Sequence, residues 1–252
     1  MAGHNKWSKI KRQKARHDKE KSQRWAKLAR EITVAARQGH DDPEMNADLA
    51  AAIERAEDEN MPGETIERAV KRGNGELEGQ SFEPATYEGY APHGVAVFVQ
   101  AMTDNNNRTV ADLRHLFETH GGNLGKDGSV SYLFERKGRL TVPTRRIEEL
   151  MLFEMVVEAG AEDLRTEIDE DGEEVYVVTT PDEDFDAVEE VLQENGIDPK
   201  EAGLARIPTT TVALEEDDAQ TVLNLVEALG ENDDVDCVYT TLQHDGRFVK
   251  AS

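Results

Sequence analysis

The stretch "EDLRTEIDEDGEEVYVVTT", residues 162–180, predicts a β-hairpin near the middle of the chain. Its second half is rich in Val, Tyr and Thr, which favour strands, and its first half alternates charged residues with Leu, Thr and Ile. Between the halves lies "EDG", an acidic, glycine-containing sequence that is typical of a turn. Two antiparallel strands are therefore expected here, and the segments on both sides must supply the elements that cover one face of these strands.

The hairpin is flanked on each side by one helical pattern and then by one short strand. This order, βαββαβ, is the split-βαβ plan, in which two helices cover one face of an antiparallel sheet. The flanking segments are "RLTVP" (139–143), "RRIEELMLFEMVVEAG" (145–160), "DEDFDAVEEVLQENG" (182–196) and "GLARIP" (203–208).

A second α/β module surrounds the first. Before it, "ATYEGYAP" and "GVAVFVQAMT" predict strands, "NRTVADLRHLFETHGG" a helix and "SVSYLFE" a further strand. These elements leave one sheet face only partly covered, whereas "TTVAL", "DDAQTVLNLVEALG" and "VDCVYTTL" after residue 208 supply more strands and a helix. We therefore expect an insertion of one module into the other, with two consecutive modules as the simpler alternative.

Residues 22–73 predict three short helices that pack as a bundle. Helical spacing places Trp25, Leu28 and Ile32 on one stripe of the first helix, which ends at Gly39. The second is expected to begin with Asp42 as its cap and Pro43 in its first turn, and the third runs from Pro62 to Gly73. The polar, glycine-rich residues 73–81 read as a linker.

Together these patterns predict an α+β protein: an N-terminal three-helix bundle followed by two ferredoxin-like α/β domains, the second inserted within the first. The expected domains are residues 1–78, which hold a basic arm and the bundle, residues 79–137 together with 208–252, and residues 138–207.

Charge is distributed unevenly along the chain. The net charge of the 252 residues is −24, yet residues 1–40 carry +9, so the remainder carries −33. Residues 5–21 hold eight Lys or Arg against two acids. Such a segment is suited to a phosphate backbone, because docked cations release its counterions. We therefore predict nucleic-acid binding by residues 1–78, through Lys6, Trp7, Lys9, Lys11, Arg12, Lys14, Arg16, Lys19, Lys21, Arg24, Lys27 and Arg30.

Trp7 lies among these lysines, where its ring would stack on an exposed base or ribose. A solvated helical face is the plainer explanation of a basic run, but such a face need not differ in sign from the rest of the protein. A membrane-surface helix is disfavoured, because only Trp7, Ile10 and Ala15 are apolar within residues 5–21.

A second, weaker candidate is "TDNNNRT" (103–109), where a predicted strand leads into a helix. Capping by Asn107 explains part of this polarity. A binding role for Asn105, Asn106 and Arg108 is the alternative.

Catalytic and metal motifs are missing from the sequence. The glycine-rich "HGGNLGKDGS" has His120 and Asp127 where a phosphate-binding loop needs Gly and Ser or Thr. Cys237 is the only cysteine, and His115 and His120 are five residues apart instead of the four that suit two ligands on a helix. We therefore expect no enzymatic activity, no cofactor, no metal and no small-molecule substrate.

No apolar run is long enough to span a bilayer, and residues 1–21 lack the apolar core of a secretory signal. A mitochondrial transit peptide would be poorer in acids and richer in Ser, so a cytoplasmic protein is expected. Strong acidity with only five lysines beyond residue 40 favours adaptation to concentrated salt; an ordinary acidic cytosolic protein is the alternative.

Three long segments carry a resemblance to a known family: residues 1–39 ("MAGHNKWSKIKRQ…"), 60–75 ("NMPGETIERAVKRGNG") and 87–138 ("YEGYAPHGVAVFVQ…"). Together they resemble the YebC family, whose members are named probable transcriptional regulators in bacteria and translational activators of cytochrome c oxidase in mitochondria. The resemblance implies a helical N-terminal domain, two α/β domains with one inserted in the other, and a DNA-binding transcriptional regulator in a bacterial cytoplasm. The alternative is a ribosome- or rRNA-binding translation factor that activates translation or relieves stalling.

Overall fold

The N-terminal domain is a bundle of three helices. The computed structural model describes residues 21–22, 24–40, 42–77, 82–169, 172–244 and 247–251. The helical residues of α1 are 21–22 and 24–38. Helix α2 spans Ala47–Asp58, and α3 spans Gly63–Gly73. The bundle core consists of Ile32, Ala36, Leu49, Ala52, Ala56, Met61, Ile66 and Ala69.

The start of the second helix differs in detail from the prediction. Asp42 caps a single 3-10 turn, Pro43–Met45, by accepting a hydrogen bond from the amide of Glu44. Helix α2 begins after it, because the side chain of Asn46 accepts from the amide of Leu49 and so caps a new helix.

A six-stranded sheet combines strands from before residue 125 and after residue 211. The elements are β1 (Glu83–Tyr90), β2 (Ala96–Thr103), α4 (Asn106–Thr119), β3 (Asn123–Leu124), β8 (Val212–Ala213), α7 (Glu216–Gly230), β9 (Val235–His244) and β10 (Arg247–Ala251). The strand order is β10-β9-β2-β1-β3, and β8 pairs in parallel with β9. Helices α4 and α7 pack on one face, where Leu113, Phe117, Leu225 and Leu229 are fully buried.

A four-stranded antiparallel sheet is formed by the residues between these two parts. The elements are β4 (Phe134–Pro143), α5 (Glu149–Glu158), β5 (Asp163–Ile168), β6 (Glu174–Pro181), α6 (Phe185–Glu194) and β7 (Glu201–Pro208). The strand order, β5-β6-β4-β7, is the ferredoxin-like arrangement expected of the βαββαβ pattern. The helices α5 and α6 cover one face, and Leu140, Leu152, Val178 and Leu192 are buried between the layers. The predicted fold class is thus confirmed.

The prediction of a strand for "SVSYLFE" (129–135) is wrong for residues 129–133. Ser131–Leu133 form a 3-10 turn, and β4 begins only at Phe134, from which it runs past residue 138, the expected start of the insertion. The amides of Val130 and Ser131 donate to the carboxylate of Glu88, so they are not available to a strand ladder.

Candidate nucleic-acid interface

Most of the predicted interface precedes the described structure. Eight of its residues lie outside the described residues: Lys6, Trp7, Lys9, Lys11, Arg12, Lys14, Arg16 and Lys19. The four others lie on α1 at intervals of three. Because three residues fall short of a full 3.6-residue turn by about 60°, this row winds round the helix and its members face different surroundings. They are Lys21, Arg24, Lys27 and Arg30.

The first two cations of this row contact the helical bundle. The ammonium nitrogen of Lys21 lies 4.7 Å from the ring centroid of Trp25, whose indole N–H donates to the carbonyl of Glu59. Arg24 Nε lies 3.4 Å from Glu59 Oε2, and both side chains are about half exposed. An ion pair this exposed contributes at most about 1 kcal/mol, so a phosphate can compete for Arg24.

The last two cations hold α1 against the six-stranded sheet domain. Lys27 Nζ donates to the carbonyl of Gly230 at 3.2 Å, at the end of α7. Arg30 donates to the carbonyl of Asp233, and its guanidinium lies 5.3 Å from the ring centroid of Phe82. Burial lowers the pKa of Lys27, although the nearby Asp236 opposes this shift. Both side chains are therefore engaged within the molecule.

A cleft of about 670 Å³ lies between α1, α2 and the open face of the six-stranded sheet. Burial raises the pKa of Asp236 at its wall to about 7, and Glu31 adds to the shift while Lys27 opposes it. Asp236 Oδ1 accepts no hydrogen bond from any described residue. The cleft mixes both signs of charge, so it is not an anion site. Its charged lining comprises Arg24, Lys27, Arg55, Lys250, Glu31, Asp58, Glu59, Glu201 and Asp236.

The polar cluster before α4 has partners within the chain. The cap of α4 is Asn105, whose side chain accepts from the amide of Arg108 at 3.1 Å. The expected cap, Asn107, lies inside the helix because α4 begins at Asn106. Asn106 accepts a hydrogen bond from the hydroxyl of Tyr87 at 2.9 Å. These contacts give two of the three proposed binding residues a structural role.

Arg108 joins the same helix to the start of β9. It donates to Asp104 at 2.7 Å and to both oxygens of Asp234 at 3.0 and 2.8 Å. Asp234 is only 5% exposed and also accepts from the hydroxyl of Thr109 at 2.8 Å. The guanidinium is therefore fixed by two carboxylates, which leaves it a weak partner for a phosphate.

The glycine-rich loop between α4 and β4 is shaped by one carboxylate that the sequence reading missed. Glu88 is 6% exposed and accepts hydrogen bonds from the amides of Gly128, Val130 and Ser131 at 2.8, 2.6 and 2.8 Å. Burial raises the pKa of Glu88, but these amides outweigh it and the net direction is downward. The one available signal was a lone Glu within an otherwise uncharged strand segment.

Within the described ranges, no three His, Cys, Asp or Glu side chains are grouped so that they could bind a metal ion. Likewise, within the part of the chain that the structure describes, no helix combines the length and apolar character needed to cross a bilayer.

Comparison with known proteins places the whole chain in one family. The model of the TACO1/YebC protein N-terminal domain matches residues 5–76, and that of the TACO1/YebC second and third domain matches residues 82–242. A relative from Salinibacter ruber, named a probable transcriptional regulatory protein, is 55% identical over 98% of this chain and 94% of its own length. One of the same name from Persephonella marina is 50% identical over 96% of each chain.

A solved structure agrees with these matches. The crystal structure of a conserved hypothetical protein from Aquifex aeolicus superposes with a TM-score of 0.79 at 48% identity, covering 88% of this chain and 90% of that one. The chain belongs to the TACO1/YebC family.

Proposed function

We propose that this protein is a nucleic-acid-binding regulator that acts on transcription in the cytoplasm and binds DNA through residues 5–21. In this proposal the protein is not an enzyme and needs no cofactor. The observation that carries the proposal is the reversal of charge: residues 5–21 hold eight Lys or Arg against two acids, in a chain whose remainder is strongly acidic. A polyanion is attracted to residues 5–21 and repelled by the acidic remainder of the chain. The names of the relatives from Salinibacter ruber and Persephonella marina support a role in transcription.

The contacts of α1 support this arrangement. Lys27 and Arg30 hold the helix against the six-stranded sheet domain, so residues 5–21 lead into a helix with a fixed position. Lys21 and Arg24 lie on the first described turns and extend the basic segment onto the bundle. In the proposed complex, residues 5–21 and Arg24 contact phosphates, whereas Lys27 and Arg30 position the helix.

Binding of ribosomal RNA is the second candidate, and Trp7 favours it. Base stacking on an aromatic side chain is a common device in RNA recognition, because unpaired bases expose their faces. A factor of this kind would act on translation.

The proposal is tested by reversing four charges of the segment. The variant Lys9→Glu, Lys11→Glu, Arg12→Glu and Lys14→Glu should lose DNA and RNA binding by at least about tenfold, since each cation supplies one phosphate contact. Fluorescence anisotropy with labelled duplex DNA and labelled single-stranded RNA measures this loss.

A matched control reverses four exposed cations of the α/β domains: Arg114, Lys126, Arg146 and Arg165, each changed to Glu. It has the same net charge as the first variant and should bind nucleic acid as the unchanged protein does. Equal losses in both variants would mean that net charge, and not residues 5–21, determines binding.

Crosslinking in cells, followed by sequencing of the attached nucleic acid, separates the two candidates. Enrichment of promoter DNA supports the transcriptional role. Enrichment of ribosomal RNA, lost when residues 1–20 are deleted, would replace it with the translational one.

A further inference from the structure

Helix α5 of the four-stranded sheet domain exposes large apolar side chains. Leu150, Met151, Phe153 and Val157 are 69%, 60%, 46% and 44% exposed, and no described residue covers them. Four such residues on a ten-residue helix are more than the single exposed apolar side chains that are normal on surfaces.

The fold itself does not need these side chains. The inner face of α5 already packs on the sheet through Leu152 and Val156, both fully buried. Because residues three, four and seven apart share one side of a helix, Leu150, Phe153 and Val157 form an outer stripe. An apolar stripe that the core does not use is typical of a site where another molecule binds.

A groove of about 560 Å³ runs along the other side of the same helix. Its apolar lining is Ile147, Met151, Met155 and Ile197. Methionine side chains are flexible and polarizable, so they adapt to different apolar partners. The α5 surface is defined here as Ile147, Leu150, Met151, Phe153, Met155 and Val157.

The charge around the α5 surface identifies the class of partner. Between residues 147 and 199 the chain has twenty Asp or Glu, and Arg165 is the one Lys or Arg. One end of the groove also carries Arg145, which pairs with Glu173 at 3.1 Å, and Arg146, so carboxylates still dominate the charge of the surface. Glu154 and Glu158 lie on α5 itself, among the apolar residues. Nucleic acid and anionic lipid would be repelled, and a second copy would bring the same carboxylates face to face.

We propose that the α5 surface binds a helical protein segment whose apolar stripe is flanked by Lys and Arg. The stripe packs on the α5 surface as an amphipathic helix packs in a groove, and the flanking cations pair with Glu154 and Glu158. This interaction is independent of nucleic-acid binding by residues 5–21.

The probe for the test is a fluorescein-labelled peptide of about 18 residues, with Leu at helical positions i, i+3, i+4 and i+7 and Lys elsewhere. The full-length protein should bind it, and the variant Leu150→Gln, Met151→Gln should bind at least about tenfold more weakly, since two apolar contacts are lost. Glu154→Lys should also weaken binding, and the effect should shrink at high salt.

Two controls distinguish a specific site from general attraction to an acidic protein. Met45→Gln removes an equally exposed apolar side chain in the helical domain and should leave peptide affinity unchanged. A peptide of the same composition with its Leu residues spread round the helix should bind at least about tenfold more weakly. Unaltered thermal melting of each variant shows that it folds.

Several outcomes would overturn the proposal. Equal binding of both peptides, or equal binding by the wild type and the Leu150→Gln, Met151→Gln variant, would show that charge attraction alone holds the probe and that the α5 surface is not a specific site. A dimer that this variant dissociates would assign the surface to a second copy. Stronger binding of a peptide of residues 1–20 than of the probe would assign it to this chain's own basic segment.

Discussion

Glu88 shows how a single side chain determines the path of a loop. Its two oxygens accept hydrogen bonds from the amides of Gly128, Val130 and Ser131, in the turn that precedes β4, and this keeps the amides of Val130 and Ser131 out of the sheet. Hydrogen bonds to a carboxylate are about twice as strong as those between neutral groups. The loop is therefore held in place although it is rich in glycine.

Glu88→Gln should destabilise the protein by about 1.5–3 kcal/mol at pH 7, because an amide NH2 then faces backbone N–H donors. Since the pKa of Glu88 is depressed in the fold, its contribution is present above the ordinary carboxyl pKa and is lost as the pH falls through the folded value. Urea unfolding of both proteins at pH 7 and pH 3 measures the difference in their free energies of unfolding, which should be smaller at pH 3.

The control is Glu118→Gln, an exposed position on α4. It should change the free energy of unfolding by less than about 0.5 kcal/mol at pH 7. An equal effect of both substitutions at pH 7 would contradict the role assigned to Glu88.

Asp236 should make the stability of the protein depend on pH in the opposite direction. Its pKa is raised to about 7, so the folded state favours the protonated form and stability falls as the pH rises from the ordinary carboxyl range through 7. Asp236→Asn removes this ionisation. Its free energy of unfolding relative to wild type should grow by more than about 1 kcal/mol between pH 4 and pH 8, as measured by urea unfolding. A difference that does not change with pH would contradict the assigned pKa.

At the scale of secondary-structure elements, the contact between α1 and α3 depends on the absence of a side chain at Gly73. A Cβ at this position would lie 2.6 Å from both the Cβ of Ala36 and the carbonyl oxygen of Thr33. The two helices could accommodate it only by moving apart.

Gly73→Ala should therefore destabilise the helical bundle by about 1–3 kcal/mol. Tryptophan fluorescence during urea unfolding reports on this domain, since both tryptophans precede residue 40. Gly63→Ala, at the start of α3 with no atom within 4 Å of the added Cβ, should be neutral or slightly stabilising. Equal effects of the two substitutions would show that the close contact is unimportant.

Patterns local in sequence predicted most elements correctly, whereas contacts between distant residues account for the errors. The hairpin of β5 and β6 and the helix α4 follow from the sequence patterns of their residues. "SVSYLFE" has strand-forming residues, but Glu88, more than forty residues away, binds its amides. Lys27 and Arg30 bind residues about 200 positions further along the chain, which no local pattern indicates. The sequence therefore suggested that every cation of the basic row is available to bind nucleic acid.

At the scale of the whole molecule, charge is separated between the basic residues 5–21 and the strongly acidic remainder of the chain. Carboxylates crowd the α/β domains, and their mutual repulsion opposes the compact state. Screening by salt should relieve this repulsion, since the Debye length falls to about 3 Å at 1 M.

The melting temperature is therefore expected to rise by about 5 °C or more between about 0.15 M and about 2 M KCl, as followed by circular dichroism. A melting temperature that stays constant or falls would remove the interpretation of the acidity as an adaptation to concentrated salt.

The salt dependence of nucleic-acid affinity tests most directly whether residues 5–21 bind phosphates. The logarithm of the association constant for duplex DNA should fall linearly with the logarithm of salt concentration. The neutral variant Lys9→Gln, Lys11→Gln, Arg12→Gln, Lys14→Gln should reduce the magnitude of that slope by about three to four, which corresponds to four lost phosphate contacts. An unchanged slope would show that nucleic acid, if bound, is held elsewhere on the protein.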